Sequence, residues 1–175
     1  MSSKRNKGQE HYSATEMFYT GCSFAACGEL CKTGVPRENT VFYSAPRVVN
    51  YAFSCEVFLK TLLVLYQIPK GHHHDLKNLY NRLPKTVQED IESEMLNKTG
   101  KLTDIGGVPI LDQISNAFVD WRYSYETVPY KSCSMKIDLG YLISFCETLR
   151  NKCCMCLFHV PYAEFHLLPS TRTKP

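Results

Sequence analysis

Val48-Val49-Asn50-Tyr51-Ala52-Phe53-Ser54-Cys55-Glu56-Val57-Phe58-Leu59-Lys60-Thr61-Leu62-Leu63 is followed, after a short turn, by Gly71-His72-His73-His74-Asp75-Leu76-Lys77-Asn78-Leu79. The first stretch is helical by its apolar spacing: Val49, Ala52, Phe53, Leu59 and Leu63 share a face. Ser44 can cap it, and Pro46 falls in the first turn, where a missing N–H is harmless. Pro69-Lys70-Gly71 ends the pattern soon after Tyr66. Glu56 and Lys60 stand within the apolar stripe, carboxylate first, the favourable order for an i,i+4 ion pair. A charge in that position needs its partner. In the second stretch Leu76, Leu79, Tyr80 and Leu83 keep helical spacing, and Asp75 at the start suits the helix dipole.

Working outward, Ser13-Ala14-Thr15-Glu16 reads as a capping box for a first helix to about Lys32, with Gly34 and Pro36 as stops. Its face of Met17, Gly21, Phe24, Ala25 and Gly28 is small enough for close approach by another helix. Beyond Pro84, Thr86 to Leu96 reads as a fourth helix with its acidic residues toward water. Asn97 to Pro109, with Gly100, Gly106 and Gly107, reads as a loop. Ile110 to Glu126 carries Leu111, Ile114, Phe118, Trp121 and Tyr125 on one stripe, and a sixth helix is expected from Asp138 to Arg150 or a little beyond. The expected fold is all-α: an up-and-down bundle of five or six helices spanning 13–168, with Leu157 to Leu168 as an extended C-terminal arm. Residues 1–12 are expected to be a flexible basic N-terminus and 169–175 a disordered tail.

A chain of 175 residues is long enough to bury one continuous core. A formal charge of +3, spread along the chain, gives no strong nucleic-acid or membrane footprint. The best apolar run, Val57 to Ile68, is broken by Lys60 and Gln67, and no apolar segment follows the basic N-terminus, so a soluble cytoplasmic protein with no membrane partner is expected. Nine cysteines are an odd number, and several (Cys22, Cys27, Cys55, Cys146) lie in apolar helical patterns as small hydrophobes.

The two quoted stretches resemble the core of HEPN (higher eukaryotes and prokaryotes nucleotide-binding) domains, whose helix A-x-x-x-E-x-x-x-K-x-L-L precedes H-D-L-x-x-L. Ala117-Phe118-Val119-Asp120-Trp121-Arg122-Tyr123-Ser124-Tyr125-Glu126 is similar to a segment of one branch of that family. The resemblance implies a bundle of four or five helices that commonly dimerises, from toxin–antitoxin, abortive-infection and other defence systems. Many such domains are metal-independent endoribonucleases with an Arg followed after four to six residues by His. Here that pair is missing: Arg122 has no His nearby downstream, and Arg150 meets Met and Cys at the required distance, with His159 too far on.

The residues admit two readings at each position. His74 with Asp75 is either a proton-transfer group near Glu56, Lys60 and Arg122, or the opening of the third helix, tied to the second through Glu56 or Lys60. Glu56 and Lys60 are either site residues or an internal tether. Arg122, Lys60 and Lys77 are the candidates to hold phosphate. Cys22-x4-Cys27-x3-Cys31 and Cys153-Cys154-x-Cys156 with His159 lack the paired C-x2-C knuckles of readable zinc sites, and Gly106-Gly107 lacks the Lys-Ser/Thr of a phosphate loop, so neither metal nor cofactor is expected. The expectation is an RNA- or nucleotide-binding domain, an endoribonuclease with a non-standard site, partnered by RNA or nucleotide, by a second copy of itself, and by a cognate antitoxin or defence protein. The rival is a non-catalytic helical interaction module.

Overall fold

The computed structural model describes residues 13–33, 44–100, 110–122 and 137–165, and the described residues form no strand. Among the described residues eight helices follow one another: α1 (Ala14–Thr33), α2 (Ser44–Leu65), α3 (Leu76–Asn81), α4 (Lys85–Thr99), α5 (Ile110–Ile114), α6 (Ala117–Arg122), α7 (Leu139–Phe158) and α8 (Tyr162–Phe165). The four long ones make the expected up-and-down bundle. Phe58 meets Gly21 while Tyr51 meets Gly28, so α1 and α2 are antiparallel. Ser54 meets Cys146, Phe58 meets Cys153 and Tyr66 meets Cys156, so α7 runs parallel to α2. Asp90 pairs with Lys152 and Lys98 with Thr148, which sets α4 antiparallel to α7.

The helix read first from sequence is the centre of this arrangement. Val48, Tyr51, Ala52, Cys55, Phe58, Leu59, Leu62 and Leu63 are all buried, and so are Ser54, Glu56 and Thr61. A helix apolar nearly all round is one that neighbours cover on every side. Ala45–Leu65 is also long and apolar enough to cross a membrane, with a mean hydropathy of 1.6, a match the broken run from Val57 to Ile68 does not bring out; 67% of that window is buried inside the bundle. Gly21 and Gly28 explain how α1 comes so close: a Cβ on Gly21 would lie 2.5 Å from the Phe58 ring, and one on Gly28 would lie 2.9 Å from Tyr51.

Several segments differ from the sequence expectation. The fifth helix is broken at Ser115 into α5 and α6, because Ser115 serves α3: its carbonyl accepts from Leu76 N–H (3.0 Å), its hydroxyl donates to Asp75 Oδ1 (2.7 Å) and accepts from Lys77 N–H (3.0 Å). α7 runs on to Phe158, well past Arg150, and its N-cap is Asp138, whose Oδ1 accepts from Tyr141 N–H at 2.9 Å. As far as Phe165, the last described residue, the C-terminal arm is not extended. His159 takes a left-handed conformation that closes α7, Pro161 opens the single turn of α8, and Phe158, Tyr162 and Phe165 pack around Phe18. Packing three half-buried rings around Phe18 offsets the ordering of that turn. α4 runs to Thr99 and is closed by a left-handed Gly100, so the loop expected from Asn97 starts later; the rest of that loop (101–109) and the calls on 1–12, 123–136 and 166–175 lie outside the described residues.

Candidate functional site

Glu56 lies at the middle of α2 with 2% of its surface exposed. Its Oε1 accepts a hydrogen bond from Lys60 Nζ at 2.8 Å, one turn along, and lies 2.9 Å from Nδ1 of His74. Oε2 is equally buried and takes no hydrogen bond among the described residues. A buried carboxylate needs such partners, and Lys60, 13% exposed, supplies the opposite charge. The His74 ring keeps 57% of its surface open to water. A half-exposed imidazole with one nitrogen on a sealed carboxylate has its orientation fixed, and its other nitrogen is left for a proton-transfer partner.

His74 reaches this position because the turn before it is pinned at both ends. α2 stops at a left-handed Gln67, with Ile68 N–H on Leu63 C=O (2.8 Å) and Gln67 N–H on Val64 C=O (3.0 Å), the paired bonds of a Schellman cap. The Arg82 guanidinium donates to the carbonyls of Pro69 and Lys70. At the far end Asp75 caps α3, accepting from Asn78 N–H at 2.6 Å. Asp75 thus opens α3, and His74 ties that opening to α2 through Glu56. His72 and His73 are exposed.

The ring also touches α6. His74 and Phe118 stack with centroids 6.3 Å apart, and Phe118 stacks on Phe53 at 5.1 Å. Arg122 ends α6, one turn beyond Phe118, and its side chain lies outside the described residues. Lys77 is on α3, where its ammonium pairs with Asp112 of α5. Glu56, Lys60 and His74 are thus brought together, while Lys77 is drawn toward α5. The sequence reading missed a groove of about 520 Å³ beside Glu56, where Ser13 and, from the start of α1, Glu16, Met17 and Thr20 line it together with Phe53, Glu56, Val57, Lys60 and Lys70. Its only sequence signal is that the capping box and Lys70 each flank a helix end.

The cysteine clusters do not gather ligands. Among the described residues no three His, Cys, Asp or Glu side chains come together as a metal site would require. Cys27 is exposed on α1, Cys153 and Cys154 are buried on α7, and Cys156 lies 3.9 Å from the Tyr66 hydroxyl. No family profile, curated protein or solved structure matches the chain.

Proposed function

We propose that this chain is a HEPN-like RNA- or nucleotide-binding domain of a prokaryotic defence or toxin–antitoxin system, and that it cleaves RNA without metal, with His74 as its proton-transfer group. The observation that supports this reading is the 2.9 Å contact between His74 Nδ1 and Glu56 Oε1 on a ring that is still 57% exposed. A carboxylate that accepts from Nδ1–H fixes the tautomer and leaves the Nε2 lone pair free to take a proton. On RNA that proton is the 2′-hydroxyl's: the 2′-oxygen attacks the adjacent phosphorus, a 2′,3′-cyclic phosphate forms, and the departing 5′-oxygen takes up a proton. Negative charge builds on the phosphorane as this happens and requires a cation. Lys60, whose ammonium has donors beyond the one given to Glu56, and Arg122 are the residues assigned to it. Lys77 is assigned to a flanking phosphate, at the expense of its pair with Asp112. A second copy of the chain and a cognate antitoxin or defence protein belong to the same reading.

The test is incubation of the purified protein with total RNA and transfer RNA in chelator. Cleavage is expected, with a loss of about 100-fold or more in His74→Ala, the usual weight of a positioned acid–base group. Intact RNA with the wild-type protein across pH and salt would end the nuclease reading.

A second reading rests on a specific feature of the same contacts. Glu56 Oε1 serves Lys60 and His74 together, and Asp75 serves both Asn78 and Ser115, so each of these polar groups already has a task in fixing helix register. That is what a non-catalytic helical interaction module needs. Intact mass and absorbance ratio of the protein purified from its source separate the two: a stoichiometric protein partner without nucleic acid supports the module.

A further inference from the structure

Packing gives Lys60, Lys77, Lys98 and Lys152 a carboxylate each. Arg150, half-buried on α7, is given a ring instead: its Cζ lies over Tyr162, 3.9 Å from the ring centre. Its Nε is sealed from water without a hydrogen-bond partner, and among the described residues the guanidinium makes no ion pair. A cation over an aromatic face is attracted to the ring, yet its N–H edge stays unused.

That residue lines a groove of about 500 Å³ between α1 and α7. Ala25, Ala26 and Leu30 of α1 and Tyr51 of α2 give the groove apolar walls. Leu30 keeps 70% of its surface in water, more than any other large apolar side chain among the described residues. Two carboxylates share the groove with Arg150. Glu29 accepts from the Tyr51 hydroxyl at 2.7 Å and lies 3.9 Å from the Arg47 guanidinium, so its charge is already answered. Glu147 is exposed and, although three residues before Arg150 on the same helix, forms no ion pair with it.

We propose that the α1–α7 groove is a binding site for a small organic monocarboxylate, with its carboxylate on the Arg150 guanidinium and its apolar body against Ala25, Ala26, Leu30 and Tyr51. The terminal N–H pair of a guanidinium matches a planar carboxylate in bidentate fashion. Charge selects a monoanion, because a phosphate monoester dianion would meet the same single cation and twice the repulsion from Glu29 and Glu147. The ligand's apolar body would take the Leu30 side chain out of water, a gain that scales with the area covered. The site lies outside the Glu56 groove and stands independently of the nuclease reading.

The experiment is titration of the full chain with benzoate, followed by the methyl NMR signals of Ala25, Ala26 and Leu30, with benzamide and phenyl phosphate as comparison ligands. Benzoate is expected to move these signals saturably, phenyl phosphate to bind more weakly, and the neutral benzamide to give no saturable shift. Arg150→Met is expected to raise the benzoate Kd by about tenfold or more, the weight of a charge-assisted hydrogen bond. Ala26→Trp places a ring in the groove from an exposed position and leaves Arg150 untouched, so it reads occupancy even where Arg150→Met does not fold; it is expected to abolish the shifts. Absence of saturable benzoate binding overturns the proposal, as does benzamide binding equally well or a benzoate Kd unchanged in a folded variant. Phenyl phosphate binding as tightly as benzoate overturns the assignment to a monocarboxylate.

Discussion

Glu56–Lys60 on α2 and Glu94–Lys98 on α4 are the same pair by sequence: Glu then Lys, four residues apart, with the same 2.8 Å separation. They differ in surroundings. On α4 the two side chains keep 32% and 34% of their surface, on α2 only 2% and 13%. In water such a pair is worth a few tenths of a kcal/mol and is screened by salt. Inside the bundle, desolvation dominates, and each charge depends on the other to remain tolerable. The same spacing therefore yields a half-exposed pair at the edge of the α4–α7 seam on one helix and an internal tether, reaching as far as His74, on another.

The sharpest way to break the comparison is to remove one carboxylate from each pair. Glu56→Ala strands Lys60 and is expected to cost about 3–5 kcal/mol in urea unfolding. Replacing both partners, as Glu56→Leu with Lys60→Met, is expected to recover most of that loss, since a packed apolar pair carries no desolvation penalty; a double variant no more stable than the single one contradicts the burial argument. Gly21→Ala tests the enclosure itself: its Cβ would meet Phe58 and push α1 off α2, for an expected cost of about 1–3 kcal/mol. If instead α1 adjusts freely, the midpoint will not move. Asp75→Ala removes the α3 cap and the Ser115 tie, with an expected loss of about 1 kcal/mol. Hydrogen exchange should localise that loss to α3 and the α5–α6 break. Glu94→Ala is expected to change stability by less than about 0.5 kcal/mol and to lose even that in high salt.

Much of this was open to a reader of the sequence, and what escaped did so for identifiable reasons. The four long helices follow from apolar period, caps and breakers. The Glu56–Lys60 pair is visible from spacing, and its place in the apolar stripe already suggests burial. Whether His74 would choose Glu56 or Lys60 was not visible, because the answer depends on the Gln67 turn and on Arg82 holding the loop. The break at Ser115 lay inside a continuous apolar stripe, and only the needs of α3 withdrew its backbone from the helix. The C-terminal segment has Pro161 and the β-branched Val160, which favour extension, yet as far as Phe165 the docking of Phe158, Tyr162 and Phe165 on Phe18 decided otherwise.

Sequence by itself determined the all-α fold class, α2 as the clearest helix and the presence of a carboxylate, an ammonium and an imidazole within two neighbouring segments, because period, capping and ion-pair spacing are local properties. Tertiary structure alone decided which of two equivalent ion pairs is sealed from water and that the His74 ring meets the Glu56 carboxylate. Those outcomes depend on dielectric surroundings and on residues far apart along the chain, and both are set only when helices pack.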